Sequence, residues 1–305
     1  MAIPRIFFIS KATTPAGGSN PVSVIRMSAA DPPLVVKAER INLGNDVDLG
    51  VTRAMESKMV TRSVEFMGKL YAAATKNFPD MRMLYPEEVT VVRSTLRHEV
   101  VEAQPERYIW YVLGFVENLC NVRGLIEDAN KTKAGKVFNY LARNKSAMKD
   151  LGRIWSVDAF LGSTDRFAHA LDGGTEGIAN DGNIFLTGNK KETEFKFTGI
   201  DFVDPTGPFL NLHHRFRPGE GDVWVGQLLK DSEQAARESL LRAIVADLSA
   251  RIKRAGFAAL PSGHAGEVIK GAKEASASLK TFLNKLTGST GVPPNVMDRM
   301  RLLGW

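Results

Sequence analysis

The chain has 305 residues, 44% hydrophobic and 24% charged, with 40 basic against 34 acidic side chains and a net charge of +6. At ~100–200 residues per domain this predicts one large domain or two lobes, with enough apolar content for a sizeable core, and excludes disordered and collagen-like classes. A lone cysteine, Cys120, excludes an internal disulfide, a cysteine-built zinc site and an iron–sulfur cluster within one chain. No apolar run reaches the ~18–20 residues that cross a bilayer; the longest, around Ile109–Val116, reads as a buried strand. The start, MAIPRIFFIS, has none of the three parts of a signal peptide, so the expected location is cytoplasmic, or exported without a cleavable signal.

The first 40 residues predict three strands, Arg5–Lys11, Pro21–Ser28 and Leu34–Glu39. The first two flank a turn of small residues containing Gly17, Gly18 and Ser19, whose backbone can approach a ligand closely. The third is apolar up to Lys37. Glu56, Val60, Val64, Met67 and Tyr71 then recur at spacings of 4, 4, 3 and 4, which places them on one face of a helix over Thr52–Ala74. Met81–Arg93 and Tyr108–Glu117 read as strands, the second apolar enough to be central. Asn118–Asp150 reads as mostly helical, broken at Gly124 and Gly135. A helix from about Ser146 to Gly162 turns Leu151, Ile154, Trp155 and Leu161 inward and stops at Ser163-Thr164-Asp165-Arg166. After a glycine-rich loop, Ile184–Thr187 and Glu194–Ile200 pair as a hairpin that leads into Asp201. Leu228–Ala255 and Glu267–Leu286 are helical, and a short helix ends the chain. These elements predict an α+β, bilobal fold: an antiparallel small lobe over residues 1–117 and a mostly helical large lobe, catalytic over 118–228 and basic over 229–305.

The chemistry-bearing parts follow one another in an informative order. A small-residue turn precedes a strand ending in Lys, a helix presenting a carboxylate, a buried strand, a helix ending in Asp-Arg, an Asn, a hairpin and an Asp. A kinase-type phosphotransferase needs this set. Backbone N–H groups cover phosphates, a Lys neutralises phosphate oxygens, and a Glu holds that Lys. Asn and Asp supply hard oxygen ligands to Mg²⁺, and another Asp accepts or orients the proton of the attacking hydroxyl.

Asp158-Ala159-Phe160-Leu161-Gly162-Ser163-Thr164-Asp165-Arg166, with Asn183-Ile184-Phe185-Leu186 and Gly199-Ile200-Asp201-Phe202, resembles the catalytic core of the atypical protein-kinase-like superfamily. It is most similar to the type II phosphatidylinositol 4-kinase branch and related bacterial kinases. The resemblance covers roughly Ile6–Phe209 in order of parts and is close at motif level over Asp158–Asp201. It implies a bilobal protein-kinase-like fold that uses ATP with Mg²⁺, or Mn²⁺ in its place. Lys37 would contact the α/β-phosphates and pair with Glu56, while Gly17, Gly18 and Ser19 would cover the phosphates. The backbone from Phe115 to Glu117 would border the adenine. Asp165 would be the catalytic Asp, with Asn183 and Asp201 holding the metal. Two departures stand out: the turn has fewer glycines than the three-glycine pattern, and Asn183 lies 18 residues beyond Asp165 where about five is usual, so a loop is inserted. Asn180, in the flexible part of that loop, is the second candidate ligand. The implied reaction is transfer of the γ-phosphoryl group to a hydroxyl, on a protein in preference to a lipid. Phosphoinositide phosphorylation, adenylyl transfer and an inert nucleotide-binding interaction module are the alternatives.

Plainer readings exist for each residue. Lys37 can be a solvent-facing lysine on an edge strand, Glu56 a first-turn carboxylate favoured by the helix dipole, Asp165-Arg166 a surface ion pair and cap, and Asn183 a turn residue. Asp158 reads as a support for the site. Arg251–Trp305 holds nine Lys/Arg against Glu267, Glu274 and Asp298, which is the whole excess charge. That is a solvated helical face or a docking surface for an acidic partner or anionic membrane. Nucleic acid is disfavoured because few aromatics interleave with these cations.

Overall fold

The computed structural model describes residues 3–14, 21–40, 65–75, 77–103, 108–129, 131–163, 165–168, 176–200, 225–286 and 294–305. The chain is α+β, an antiparallel five-stranded sheet with a mostly helical remainder. It divides into two compact units, one of Met1–Gly68, Pro79–Val116 and Val203–Asn211, the other of Lys69–Phe78, Glu117–Phe202 and Leu212–Trp305.

The first unit carries β1 (Lys11–Thr13), β2 (Val22–Arg26), β3 (Leu34–Arg40), β4 (Met81–Met83) and β5 (Tyr108–Gly114), hydrogen-bonded in the order β1-β2-β3-β5-β4. Residues 65–74 form helix α1. Strand alternation sends Ile25, Leu34, Val36, Ala38, Trp110 and Val112 to one face, where Val92 and Val101 complete an apolar core. Those two valines sit on α2 (Pro86–Leu96) and α3 (Glu99–Ala103). β5 lies between β3 and β4 and is buried from Ile109 to Leu113, as a central strand should be.

The strand predicted over Met81–Arg93 is instead a three-residue strand followed by a helix. Its β-branched residues are overruled by a helix start: Pro86 opens α2, and the Glu88 carboxylate accepts from the Tyr85 N–H at 2.8 Å. The same carboxylate accepts from Ile6 N–H at 2.6 Å and from both terminal nitrogens of Arg82 at 2.7 Å. Arg82 also donates to the carbonyls of Ile3 and Pro4. This knot spends the Ile3 and Pro4 carbonyls and the Ile6 N–H on side chains, and the sheet starts at Lys11 and not at the predicted Arg5.

In the second unit β6 (Cys120–Asn121), β9 (Phe185–Gly188) and β10 (Phe195–Thr198) form a three-stranded sheet in the order β10-β9-β6, so the predicted hairpin is present. β7 (Phe167–Ala168) and β8 (Gly177–Ile178) pair antiparallel. Helices α4 (Val122–Glu127) and α5 (Thr132–Arg143) contain Gly124 and Gly135 within them, where breaks were expected. Gly124 has a capping reason: its N–H is accepted by Asn121 Oδ1 at 2.7 Å, and a Cβ would stand 2.9 Å from that oxygen.

Helix α6 (Lys149–Leu161) is buried on all sides except at Arg153 and its first residue. It packs on α8 (His264–Leu286), itself preceded by α7 (Gln234–Arg254); α9 (Pro294–Leu303) follows. A Cβ at Gly152 would sit 1.9 Å from the Val268 carbonyl oxygen, and one at Gly271 2.0 Å from that of Lys149. The two helices therefore meet backbone to backbone. Ser156 Oγ donates to the Ala272 carbonyl across this contact, and Lys149 and Arg153 turn Glu274 toward α6.

Candidate functional site

Lys37 lies on β3 between β2 and β5, opposite Val22 and Tyr111, and is 7% exposed. The edge-lysine reading is thereby excluded. Its pleat position puts it on the face opposite the apolar core, together with Tyr111, Val35 and Leu113. Glu56, Gly17, Gly18, Ser19 and Asp201 lie outside the described residues. Phe115 and Glu117 are exposed, and the Glu117 carbonyl accepts from Thr187 Oγ1 at 2.9 Å.

The second unit builds its site on the end of α6. Gly162 takes the left-handed conformation at φ 73° and stops the helix, while the Ser163 N–H returns to the Asp158 carbonyl at 2.8 Å. The reversal delivers Asp165 outward and Arg166 inward. Asp165 is exposed, and Asn183 Nδ2 donates to its Oδ2 at 2.5 Å. The 18-residue separation is spanned because β7 and β8 close the ends of the inserted loop, with Phe167 opposite Ile178 and Ala168 opposite Gly177. The structure therefore brings Asp165 and Asn183 together.

Arg166 is 2% exposed and does not form the surface pair that its place beside Asp165 suggested. Its NH1 donates to Asp158 Oδ1 at 2.7 Å and Oδ2 at 3.0 Å, its Nε to the Asn183 carbonyl at 2.9 Å, and its NH2 to the Ile200 carbonyl at 2.8 Å. One guanidinium thus ties α6 to the backbone of Asn183 and to the residue before Asp201. Asp158 is fully buried and holds Arg166 from the helix side. Burial pushes its carboxyl up against the pull of Arg166. At Arg166 burial opposes the charge, but Asp158 and Tyr71 outweigh it and hold the proton more firmly than usual. Guanidinium keeps its proton in proteins, and its contact retains the Asp158 carboxylate as an anion.

Asn180 is not on a loose stretch, contrary to expectation. Its Oδ1 accepts from Gly182 N–H at 3.1 Å and from Arg123 NH2 at 2.9 Å. Asp181 beside it is bridged by Arg123 and Arg251, each at 2.9 Å. Burial would raise the Asp181 carboxyl, but the two guanidinium groups overcome this and hold it below the usual range. Asn180 spends its acceptor on this scaffold. Asn183 spends its Nδ2 on Asp165, so its Oδ1 is the atom it can offer a cation. Among the described residues no three His, Cys, Asp or Glu side chains cluster as a metal site. Cys120 is half-buried and its thiol is pushed up by burial, which suits packing and not nucleophilic chemistry.

Two of the nine tail cations are internal: Arg251 holds Asp181 and Asp247, and Arg299 is buried and donates to the Phe160 carbonyl. Lys253, Arg254, Lys270, Lys273, Lys280 and Lys285 are exposed. No helix among the described residues is long and apolar enough to cross a membrane. Compared with known proteins, the chain matches no family model and no curated protein.

Proposed function

We propose that the chain is a bilobal, protein-kinase-like phosphotransferase that moves the γ-phosphoryl group of Mg-ATP to a hydroxyl, on a protein in preference to a lipid. The observation that carries this reading is the 2.5 Å contact between Asn183 and Asp165, held from behind by the buried Arg166. An exposed carboxylate oriented by an amide is suited to take a proton from an attacking hydroxyl. That oxygen bonds to the γ-phosphorus as the bond to the bridging oxygen breaks, ADP leaves, and the proton passes to Asp165. Asn183 Oδ1 suits a hard cation, and Mg²⁺ would supply charge on the phosphate oxygens. Lys37, on the same sheet face as Tyr111, would bring a positive charge to a phosphate oxygen.

ATP labelled at the γ- or α-position, supplied with and without Mg²⁺ and a protein acceptor, tests the reading. The expected result is Mg²⁺-dependent transfer of the γ label. Transfer of the α label would replace it with adenylyl transfer, label appearing on phosphoinositide would change the acceptor, and binding without transfer would make the chain an inert nucleotide-binding module.

A further inference from the structure

Tyr71, on α1, is fully buried and 87 residues from Asp158, to which its hydroxyl donates. The same oxygen accepts from Arg166 NH1 at 3.0 Å, and the Arg166 guanidinium lies 5.7 Å from the ring centroid. Burial and the adjoining Asp158 carboxylate push the phenol well above its ordinary range, so it stays a neutral donor. The ring also reaches the far side of the site: a Cβ at Gly199 would stand 2.8 Å from Tyr71 Cδ1. Gly199 is two residues before Asp201, and Ile200 between them accepts from Arg166. One side chain therefore contacts the anion that orients Arg166, Arg166 itself, and the backbone leading to Asp201.

We infer that Tyr71 is a positioning residue for phosphoryl transfer, setting the geometry of Asp165 and Asn183 through its hydroxyl contacts with Asp158 and Arg166. The inference rests on the phosphotransferase reading. Arg166 has one guanidinium plane with which to satisfy Asp158, the Asn183 carbonyl and the Ile200 carbonyl together. The phenol caps the NH1 side of that plane. Without the hydroxyl, NH1 and Asp158 Oδ1 each lose a partner in a site closed to water, and the plane is free to turn toward the carboxylate. Turning would lengthen the bond to Asn183 and release its amide from Asp165.

Tyr71→Phe keeps the ring against Gly199 and removes only the hydroxyl. Its kcat for γ-phosphoryl transfer is expected to fall at least ~10-fold with KM for ATP within about twofold of wild type. Backbone hydrogen exchange should quicken at Ala179, whose N–H bonds to the Arg166 carbonyl, and at Asn183 and Ile184, whose N–H groups bond to the Asn180 and Asp181 carbonyls, with global unfolding little changed. Asn77→Ala, which removes a neighbouring, partly buried bond to Asp150, serves as the comparison for a merely structural loss and should leave kcat and that local exchange unchanged. A Tyr71→Phe protein with wild-type kcat overturns the inference, as does one whose exchange at those amides is unchanged. If wild-type protein transfers no label, the phosphotransferase reading falls first, and the exchange comparison alone decides whether the hydroxyl holds the turn.

Discussion

In the proposed phosphotransferase Asn183 would serve two neighbours with one amide, Nδ2 on Asp165 and Oδ1 on the cation. Because Nδ2 is fixed on Asp165, Asn183→Ala should both free the carboxylate and raise the Mg²⁺ requirement, lowering turnover at least ~10²-fold, about 2.7 kcal/mol of transition-state stabilisation. Asn180→Ala should affect turnover much less and cost about 1 kcal/mol of stability instead, since Arg123 and the Gly182 N–H lose their acceptor. Mg²⁺ titrations and urea melts of the two variants check the ranking; the reverse order would place the metal on Asn180. A different residue sets an acid limit. Burial raises the Glu88 carboxyl, but bonds from Arg82, Ile6 and Tyr85 outweigh it and leave it below its ordinary 4.5. Stability from this group is complete above that ordinary value and is lost as pH falls through the lowered folded one. Glu88→Gln should therefore cost ~2–3 kcal/mol near pH 7, with the gap to wild type closing below about pH 4.5 in denaturation curves. Asp165 and Asn183 were legible because their residue types and order carry chemistry. Arg166 and Tyr71 were not: the arginine's partner is eight residues back across a helix stop and the phenol's 87 away, distances along the chain that only tertiary closure cancels.

The helix pair α6 and α8 owes its closeness to two positions without side chains. Gly152→Ala forces a methyl group onto the Val268 carbonyl, and separating the backbones should cost ~3 kcal/mol, visible as a lowered Tm. Gly266→Ala, in the first turn of the same α8, meets nothing within 4 Å and should be neutral or stabilise by up to ~1 kcal/mol through helix propensity. Equal effects at the two sites would show that contact is not what Gly152 provides. Element types were legible where a single signal spoke, as in the apolar run of β5 and the β-branched, apolar start of β3. They were misread where two signals competed. At Val89–Val92 β-branching argues for a strand, and the Pro86 and Glu88 helix start, strengthened by the Arg82 bonds, prevails. The Gly124 reading failed similarly, because glycine serves an N-terminal cap there and does not break the helix.

Charge acts over the molecule as a whole, and its exposed basic part is smaller than composition implies. With Arg251 on α7 and Arg299 on α9 committed inside, the tail's outward charge falls to Lys253, Arg254, Arg301 and the lysines of α8, while Glu274 faces Lys149 and Arg153. Replacing Lys270, Lys273 and Lys280 by Gln should flatten the salt dependence of binding to an acidic protein without altering ATP turnover; an unchanged slope would make this a solvated face. The β7–β8 ladder has a consequence of another kind. Because Phe167 and Ala168 are clasped to Ile178 and Gly177, the chain between them contributes a closed detour whose length hardly enters the free energy, each doubling costing only ~0.6 kcal/mol. Deletions and insertions there should therefore be nearly neutral for stability, so the count of residues from the aspartate to the asparagine can change while the two side chains stay in register. A search pattern with a fixed gap would pass over such chains, and one that lets the gap float between two short paired segments would find them.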